Sequence, residues 1–376
     1  MPESLRIVHC FRSPVGGIFR HVRDLAGAQV AAGHQVGIVC DSTTGGEYEA
    51  RMLRELETKL PLGVHRTPMQ RHIGLGDVSS AWKTYDIIKE LRPDVLHGHG
   101  AKGGVYSRMF GTLLRVSRYR VARLYSPHGG SLHYDEKSVT GRFFFALERI
   151  MERLSEHILF VSRQERDTFV RKVGPPRAPN TVVYNGVTGR EFEPVAASAD
   201  AADFLYIGMM RDLKGPDLFI EALQLAERAT GRRLSAFMVG AGEDRDKYVA
   251  QVAERGLADR VHFRDPMPAR EAFALARIVV VPSRAEAMPY IVLEALAAGK
   301  LMVATSVGGI PEIFENAPAA LVEPNAQAIA AGMARAIDDE AAYAAVMPSK
   351  EEVRARFGAD AMASRIEAIY REARRN

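Results

Sequence analysis

The stretch from Val279 to Ile313, VVVPSRAEAMPYIVLEALAAGKLMVATSVGGIPEI, restricts the fold more than any other part of the chain. Val279 to Val281 form a short β-branched run that fits a strand buried on both faces, the kind found in parallel sheets. Pro289 falls where a first helical residue belongs, because its missing N–H costs nothing there. Ile291, Val292, Leu293, Leu296 and Ala297 follow helical spacing, and Gly299 is placed to stop the helix. Leu301 to Ala304 make the next strand. Gly308 and Gly309 open a second loop, and Pro311 starts the helix after it. This alternation of strand and helix commits the region to an α/β layer architecture.

Two glutamates stand inside that frame. Glu286 lies in the loop before the helix, and Glu294 lies within it, about 7.5 Å along the axis past Pro289. Met288 and Pro289 lead into a first turn whose N–H groups belong to Tyr290, Ile291 and Val292. Such a turn favours anions through its N–H groups and dipole. A diphosphate seated there leaves Glu286 near one end and Glu294 near the other. Carboxylates accept hydrogen bonds from hydroxyls, so the spacing suits a nucleotide sugar. A glutamate on an α/β helix is usually a solvated face residue, but Glu294 stands between Leu293 and Leu296.

The rest of the chain extends the pattern. Its 376 residues suit two domains, and 47% hydrophobic with 26% charged residues supports a sizeable core. Leu5 to Cys10 reads as a strand, followed by Gly16-Gly17, a helix carrying Val22, Leu25, Ala26 and Val30, and a strand from Val36 to Cys40. This is a βαβ opening with a glycine turn, without the G-x-G-x-x-G dinucleotide fingerprint. Gly16 and Gly17 serve either as a tight turn or as backbone that a phosphate or sugar approaches closely. Val78 to Leu91 reads as a helix and Asp94 to His97 as a strand, with HGHGAKGG as a loop after it. His97 and His99 at i, i+2 either bind metal from one face or line a cleft. Val121 to Tyr125 is a strand that delivers His128-Gly129-Gly130, and Ser162-x-x-Glu165 reads as a capping box. Glu193 to Ala202, rich in Pro, Ala and Ser, reads as an interdomain linker.

In the second half, Arg211 and Lys214 lie just before a helix from Asp217 to Ala229. Two cations at a helix start oppose its dipole unless an anion sits between them. Gly240-x-Gly242 makes another glycine turn after a strand. Asp244-Arg245-Asp246 resembles a metal-holding Asp-x-Asp only in letters; acids are favoured at the helix start it opens.

Taken in order, the spacing Glu286-x7-Glu294, Ala298-Gly299 and the GGIPE run at 308–312 resembles the C-terminal signature of family 4 retaining glycosyltransferases. Gly16-Gly17 with Arg20-His21-Val22, Gly33-His34-x-Val36, His128-Gly129 and Asn185-Gly186-Val187 are similar to landmarks of that family's N-terminal half. Met288-Pro289 and Met302 depart from its commonest residues. The resemblance implies the GT-B architecture, two doubly wound Rossmann-like α/β domains facing across a cleft. It places an acceptor domain at 1–192, a donor domain at 193–357, and a final helix at 358–376 crossing back to the first. It implies transfer of a hexosyl unit, with retention, from a nucleoside-diphosphate sugar to a lipid-linked or polysaccharide acceptor in envelope or exopolysaccharide assembly. His128, Arg211, Lys214 and Glu286 are then catalytic. Gly16, Gly17, Gly240, Met288, Pro289, Tyr290, Ile291 and Glu294 join Arg211, Lys214 and Glu286 around the donor. Neither a metal nor another cofactor is expected. The alternatives are a nucleotide-sugar epimerase of the same fold and a non-catalytic sugar-nucleotide binder.

The formal net charge of +4 is mild and does not argue for nucleic acid. Cys10 and Cys40 are too few for a disulfide framework and read as buried thiols. No apolar run approaches ~18 residues and no signal-peptide pattern begins the chain, so a cytoplasmic protein is expected. From Val95 to Tyr134 no acidic residue occurs, while Lys102, Arg108, Arg115, Arg118, Arg120 and Arg123 do. That run reads either as a solvated face or as a contact with a phosphate-bearing acceptor or with anionic lipid headgroups, the latter peripheral at the inner face of the membrane.

Overall fold

The computed structural model describes residues 3–70, 75–116 and 120–375, and the side chains of all of these except 75–78. The chain divides into two compact units, Met1–Gly186 with Ala359–Asn376, and Val187–Gly358. Each is built on one parallel sheet.

The first unit contains β1 (Arg6–Phe11), β2 (Gln35–Asp41), β3 (Val64–Thr67), β4 (Val95–His99), β5 (Ala122–Ser126), β6 (His157–Phe160) and β7 (Asn180–Val182). They pair in the order β3-β2-β1-β4-β5-β6-β7, all parallel. The second contains β8 (Ala202–Ile207), β9 (Ala236–Val239), β10 (Val261–Arg264), β11 (Ala276–Val281), β12 (Leu301–Thr305) and β13 (Leu321–Val322), in the order β10-β9-β8-β11-β12-β13. Strand direction and buried Val, Ile and Leu follow from coverage of both faces by helices. In each sheet the order reverses beside the first strand, between β1 and β4 and between β8 and β11. Ligands of open α/β sheets bind beyond the strand C-termini at such switch points.

The last helix, Ala359–Arg375, buries Met362, Ile366, Ile369, Tyr370 and Ala373 in the same core as Val22, Leu25 and Ala26 of the helix Gly16–Ala31. The chain enters the second unit at Val187 and leaves it at Gly358, and these two residues form a parallel bridge. Glu193 to Ala202, expected as a linker, instead lies on the second unit: Val195 N–H donates to Ala298 O at 3.1 Å and Ser198 N–H to Ala274 O at 2.9 Å. Small residues let that backbone run close to its neighbours, which composition alone reads as flexibility.

HGHGAKGG is not a loop. β4 runs through His99, and a helix starts at Gly100. Gly100 adopts φ +67°, so the strand-to-helix turn takes a single residue. A Cβ on Gly103 would lie 2.2 Å from Cys10 O, so this helix rests directly on β1.

The acid-free window is also resolved differently. Arg108 is buried, bonded through Nη1 to Glu148 Oε2 at 2.9 Å, with its guanidinium 4.0 Å from the Tyr125 ring centroid. Arg115 and Arg123 both pair with Glu156. The counter-charges come from beyond the window in sequence, so half of its cations are spent inside the unit. Arg118 lies outside the described residues. Cys10 and Cys40 are buried free thiols; burial pushes both up, Cys40 to about 12. Among the described residues no helix is long and apolar enough to cross a membrane.

Candidate functional site

In the second unit, the loops after β8 and β11 carry the expected charges. Lys214 follows β8 and Glu286 follows β11, the strands that flank the switch point. Lys214 Nζ donates to both Glu286 oxygens, at 2.6 and 2.7 Å. Glu286 Oε1 also accepts from Ser283 Oγ at 2.7 Å. The anion required by cations at a helix start is therefore supplied by the protein itself. Lys214 keeps 23% of its side chain exposed and Glu286 8%, which leaves the ammonium the more accessible partner. Arg211 is exposed beside them in sequence.

These loops are braced. Arg284 N–H donates to Leu213 O at 2.9 Å, and its guanidinium grips Asp217 at 2.5 and 2.8 Å and Asp212 O at 2.6 Å. Asp212 also accepts from Lys247 and Tyr248 at 2.7 and 2.8 Å, bonds that hold its carboxyl below the usual range. On the other side, Thr305 Oγ1 donates to Ser283 O at 2.7 Å. A Cβ on Gly308 would lie 1.7 Å from Glu286 O, so glycine is required for the GGIPE loop to support Glu286. Gly240 plays a similar part: its absent Cβ would lie 1.9 Å from Gly208 O, beneath the loop that leads to Arg211.

The helix after Glu286 runs Tyr290–Ala297, with Pro289 as its N-cap at φ −77° and ψ 123°, not as its first helical residue. An extended ψ here lets Pro289 end the incoming loop; its O then accepts from Val292 N–H at 3.3 Å, so that N–H is already engaged. Met288, Pro289 and Tyr290 are buried and Ile291 half-buried. Glu294 is only 7% exposed, which removes the solvated-face reading. Asp244 is the N-cap residue of the helix Arg245–Glu254 and Asp246 lies in its first turn, where acids suit the dipole.

In the first unit, Gly16 and Gly17 are exposed and open the helix after β1, Gly16 at φ +69°. His128 stands just beyond β5 at φ +50°, a backbone conformation costing a non-glycine residue about 1–3 kcal/mol and typical of functional turns. Glu165 holds that turn. Its carboxylate accepts from Gly129 N–H and from Val161 N–H, while its own N–H donates to Ser162 Oγ at 3.0 Å. Ser162 thus caps the helix as expected, and the Glu165 carboxylate clamps the turn that carries His128.

His97 and His99 do face one way, with ring centroids 3.9 Å apart. They meet His9 on β1 and Gln29 on the helix Gly16–Ala31, which the sequence reading left out, together with His21 of the Arg20-His21-Val22 landmark on that same helix. His9 Nδ1 lies 2.9 Å from His99 Nε2, and His99 Nδ1 lies 3.0 Å from His128 Nε2. His97 pairs with Tyr370 OH at 2.6 Å and Ser126 Oγ at 2.9 Å. His21 Nδ1 is 3.0 Å from Asn185 Oδ1. Burial drives all five imidazoles down, His9 and His21 to about 4, so the cluster is neutral at pH 7. One signal was readable: a histidine inside the apolar strand RIVHCF needs a buried partner.

Residues 188–361 match the model of glycosyl transferases group 1, and residues 15–188 that of Glycosyltransferase Family 4. The chain is 28% identical over 330 residues to a D-inositol 3-phosphate glycosyltransferase of Thermobispora bispora, covering 79% of this chain and 74% of the relative. It is 25% identical over 354 residues to a glycogen synthase of Mycobacterium tuberculosis, covering 87% and 84%. Among solved structures, Anabaena HepE in complex with UDP-glucose superposes with a TM-score of 0.80 at 18% identity, covering 97% of this chain and 99% of that one. Sucrose-phosphate synthase from Thermosynechococcus elongatus gives 0.77 at 21%, covering 97% and 98%. These likenesses support the two-sheet GT-B fold.

Proposed function

Because the chain belongs to the group 1, family 4 glycosyltransferases, we propose that it moves a hexosyl unit from a nucleoside-diphosphate sugar to a lipid-linked or polysaccharide acceptor, with retention and without a metal ion. The observation that carries this is the Lys214–Glu286 pair at the switch point of the second sheet. Charge builds on the diphosphate as the glycosidic bond breaks, and fixed donors must meet it. Lys214, Arg211 and the amides after Pro289 supply them. A diphosphate competes with Glu286 for the Lys214 ammonium, which frees Glu286 to accept from sugar hydroxyls. Glu294, buried on the same helix, is assigned to the ribose, and His128 to the sugar. The leaving phosphate oxygen takes the acceptor proton, so the reaction calls for no separate base.

The relatives named above support a sugar-nucleotide donor: HepE was solved with UDP-glucose, and the inositol phosphate enzyme is a glycosyltransferase by name. An envelope or exopolysaccharide acceptor at the cytoplasmic side is part of the same reading. Its membrane contact rests on apolar exposure more than on charge, with Val139, Phe143 and Ile150 outward on the helix Val139–Met151. Flotation with anionic and neutral vesicles tests it; no binding to either removes it.

The central test is isothermal titration with UDP-, GDP- and ADP-sugars, followed by incubation with acceptor extracts. Binding of one donor with acceptor-dependent nucleotide release is expected. A new sugar isomer formed from donor alone would replace transfer with epimerisation.

A further inference from the structure

Gln29, His9, His99 and His128 form one line of contacts. Gln29 Oε1 lies 2.8 Å from His9 Nε2, His9 Nδ1 lies 2.9 Å from His99 Nε2, and His99 Nδ1 lies 3.0 Å from His128 Nε2. His9 and His99 are fully buried, at 0% and 1% exposure, and Gln29 at 2%, so water offers these links no substitute partner.

A metal ion is the first alternative. His21, His99 and His128 have ring nitrogens within 4.8 Å of one another, as do His9, His97 and His99. Two imidazole nitrogens sharing a tetrahedral ion at about 2.05 Å stand about 3.3 Å apart. The two imidazole–imidazole links are shorter than that and match N–H···N hydrogen bonds. His97, moreover, has both ring nitrogens engaged, with Tyr370 and Ser126. Protons, rather than an ion, account for the distances.

Each link needs one proton, and each neutral imidazole carries one. Three rings therefore supply the three links only if every proton sits on the same ring atom. Gln29 Oε1 can only accept, so His9 carries its proton on Nε2. His9 Nδ1 then accepts, which puts the proton of His99 on Nε2, and the same step repeats at His128. Any mixed arrangement leaves two lone pairs or two protons facing each other in a buried space, at the cost of an unsatisfied polar group.

We propose that Gln29 is a positioning residue that sets the tautomer of His128 through His9 and His99, fixing His128 with its proton on Nε2 and a lone pair on Nδ1. His128 is the partly exposed end of the line, and among the described residues its Nδ1 has no hydrogen-bond partner. It offers a neutral acceptor. That suits a hydroxyl of a bound sugar and does not suit a phosphate, a division of labour with Lys214 that rests on the transferase reading. The strained backbone at His128 and the Glu165 clamp hold the ring in that orientation.

The test is nitrogen-15 NMR of the full-length protein labelled at histidine. Ring nitrogen shifts report the tautomer, and couplings across N–H···N bonds report the links. The expected result is the Nε2–H tautomer at His9, His99 and His128, with couplings for both imidazole pairs. Gln29→Leu should leave His128 in a mixture of tautomers and lower kcat about 10-fold, the worth of one hydrogen bond. Gln29→Glu, which still accepts, should restore the Nε2–H form. His128 found as Nδ1–H in the native protein, tautomers unmoved by Gln29→Leu, or a metal ion bound by the purified native protein would each overturn the proposal. The native spectrum decides even if Gln29→Leu fails to fold. A protein with the expected tautomers but no transferase activity would sink the sugar reading and leave the proton line standing.

Discussion

The two sheets share a strand order, yet the edges at their switch points carry opposite electrostatics. Beyond β8 and β11, Lys214, Glu286, Arg284, Asp217 and Asp212 form a charged network that is partly open to water. Beyond β1, β4 and β5, buried imidazoles pair with one another and with Gln29, Asn185 and Tyr370, and all stay neutral. Topology supplied the same location twice, and side-chain chemistry made the two unlike. Charges remain at the second edge because water and opposite charges solvate them. At the first edge burial is deeper, and the contacts of His9 with Gln29 and His21 with Asn185 offset only part of a charged ring's desolvation.

Acid should break the comparison most strongly. His9 and His21 stay neutral in the folded chain down to about 4, whereas in the unfolded chain they protonate near 6.5. The unfolded state then binds more protons, so stability present above pH 6.5 is lost as the pH falls towards 4. At pH 5 the loss is about 2 kcal/mol for each of the two. The single tryptophan, Trp82, lies in the first unit and reports its urea unfolding by fluorescence. Its midpoint should fall between pH 7.5 and 5 by more than that of the second unit, followed by circular dichroism of the remaining transition. Equal shifts would mean that the histidines are not what distinguishes the first unit.

Next comes Lys214→Ala, which should lower kcat by on the order of 10²–10³, as loss of other oxyanion donors does. The Lys214–Glu286 contact adds an expectation. With the ammonium gone, Glu286 faces the diphosphate uncompensated, so the double variant Lys214→Ala/Glu286→Gln should lose less than the two single losses multiplied. Strict additivity in steady-state kinetics would show that the pair does not act as a unit.

A smaller effect separates the two glutamates. Glu286→Gln should act mainly on kcat, because the sugar moves in the reaction. Glu294→Gln should raise KM for donor about 10- to 150-fold with kcat little altered, since ribose contacts are the same in ground and transition states. The reverse pattern, in variants with unchanged melting curves, would turn the donor end for end along the helix Tyr290–Ala297.

The smallest expected effect is that of chelation. With Lys214 and Arg211 meeting the diphosphate, activity should be unchanged in EDTA. Loss on chelation, restored by Mg2+ or Mn2+, would return Asp244 and Asp246 or the histidine cluster to consideration as metal ligands.

Much of this was readable from periodicity. Val279 to Val281, Leu301 to Ala304 and the helix after Pro289 lie within three residues of the observed elements, because burial on both faces leaves β-branched runs few alternatives. Glu286, Glu294 and Lys214 could be picked out by spacing within such a frame. The Glu193 to Ala202 segment and the HGHGAKGG stretch could not be placed, because small residues signal flexibility and tight packing with the same letters. Only the folded chain separates these, as when Gly103 seats a helix on Cys10.

By itself, then, the sequence determined the α/β alternation, the strand-end position of most charged or glycine-rich turns, and the local helix starts to within a residue or two. All of these depend on residues within about ten positions of one another. The tertiary structure decided which side chains meet. Lys214 finds Glu286 from 72 positions away, Arg108 is neutralised by Glu148 from 40, and Gln29 reaches His128 only through His9 and His99 on two separate strands. A parallel sheet brings together strand ends that helices separate in sequence, and hydrogen bonds act over about 3 Å. Partners that share no local pattern therefore become visible only once the sheet is formed.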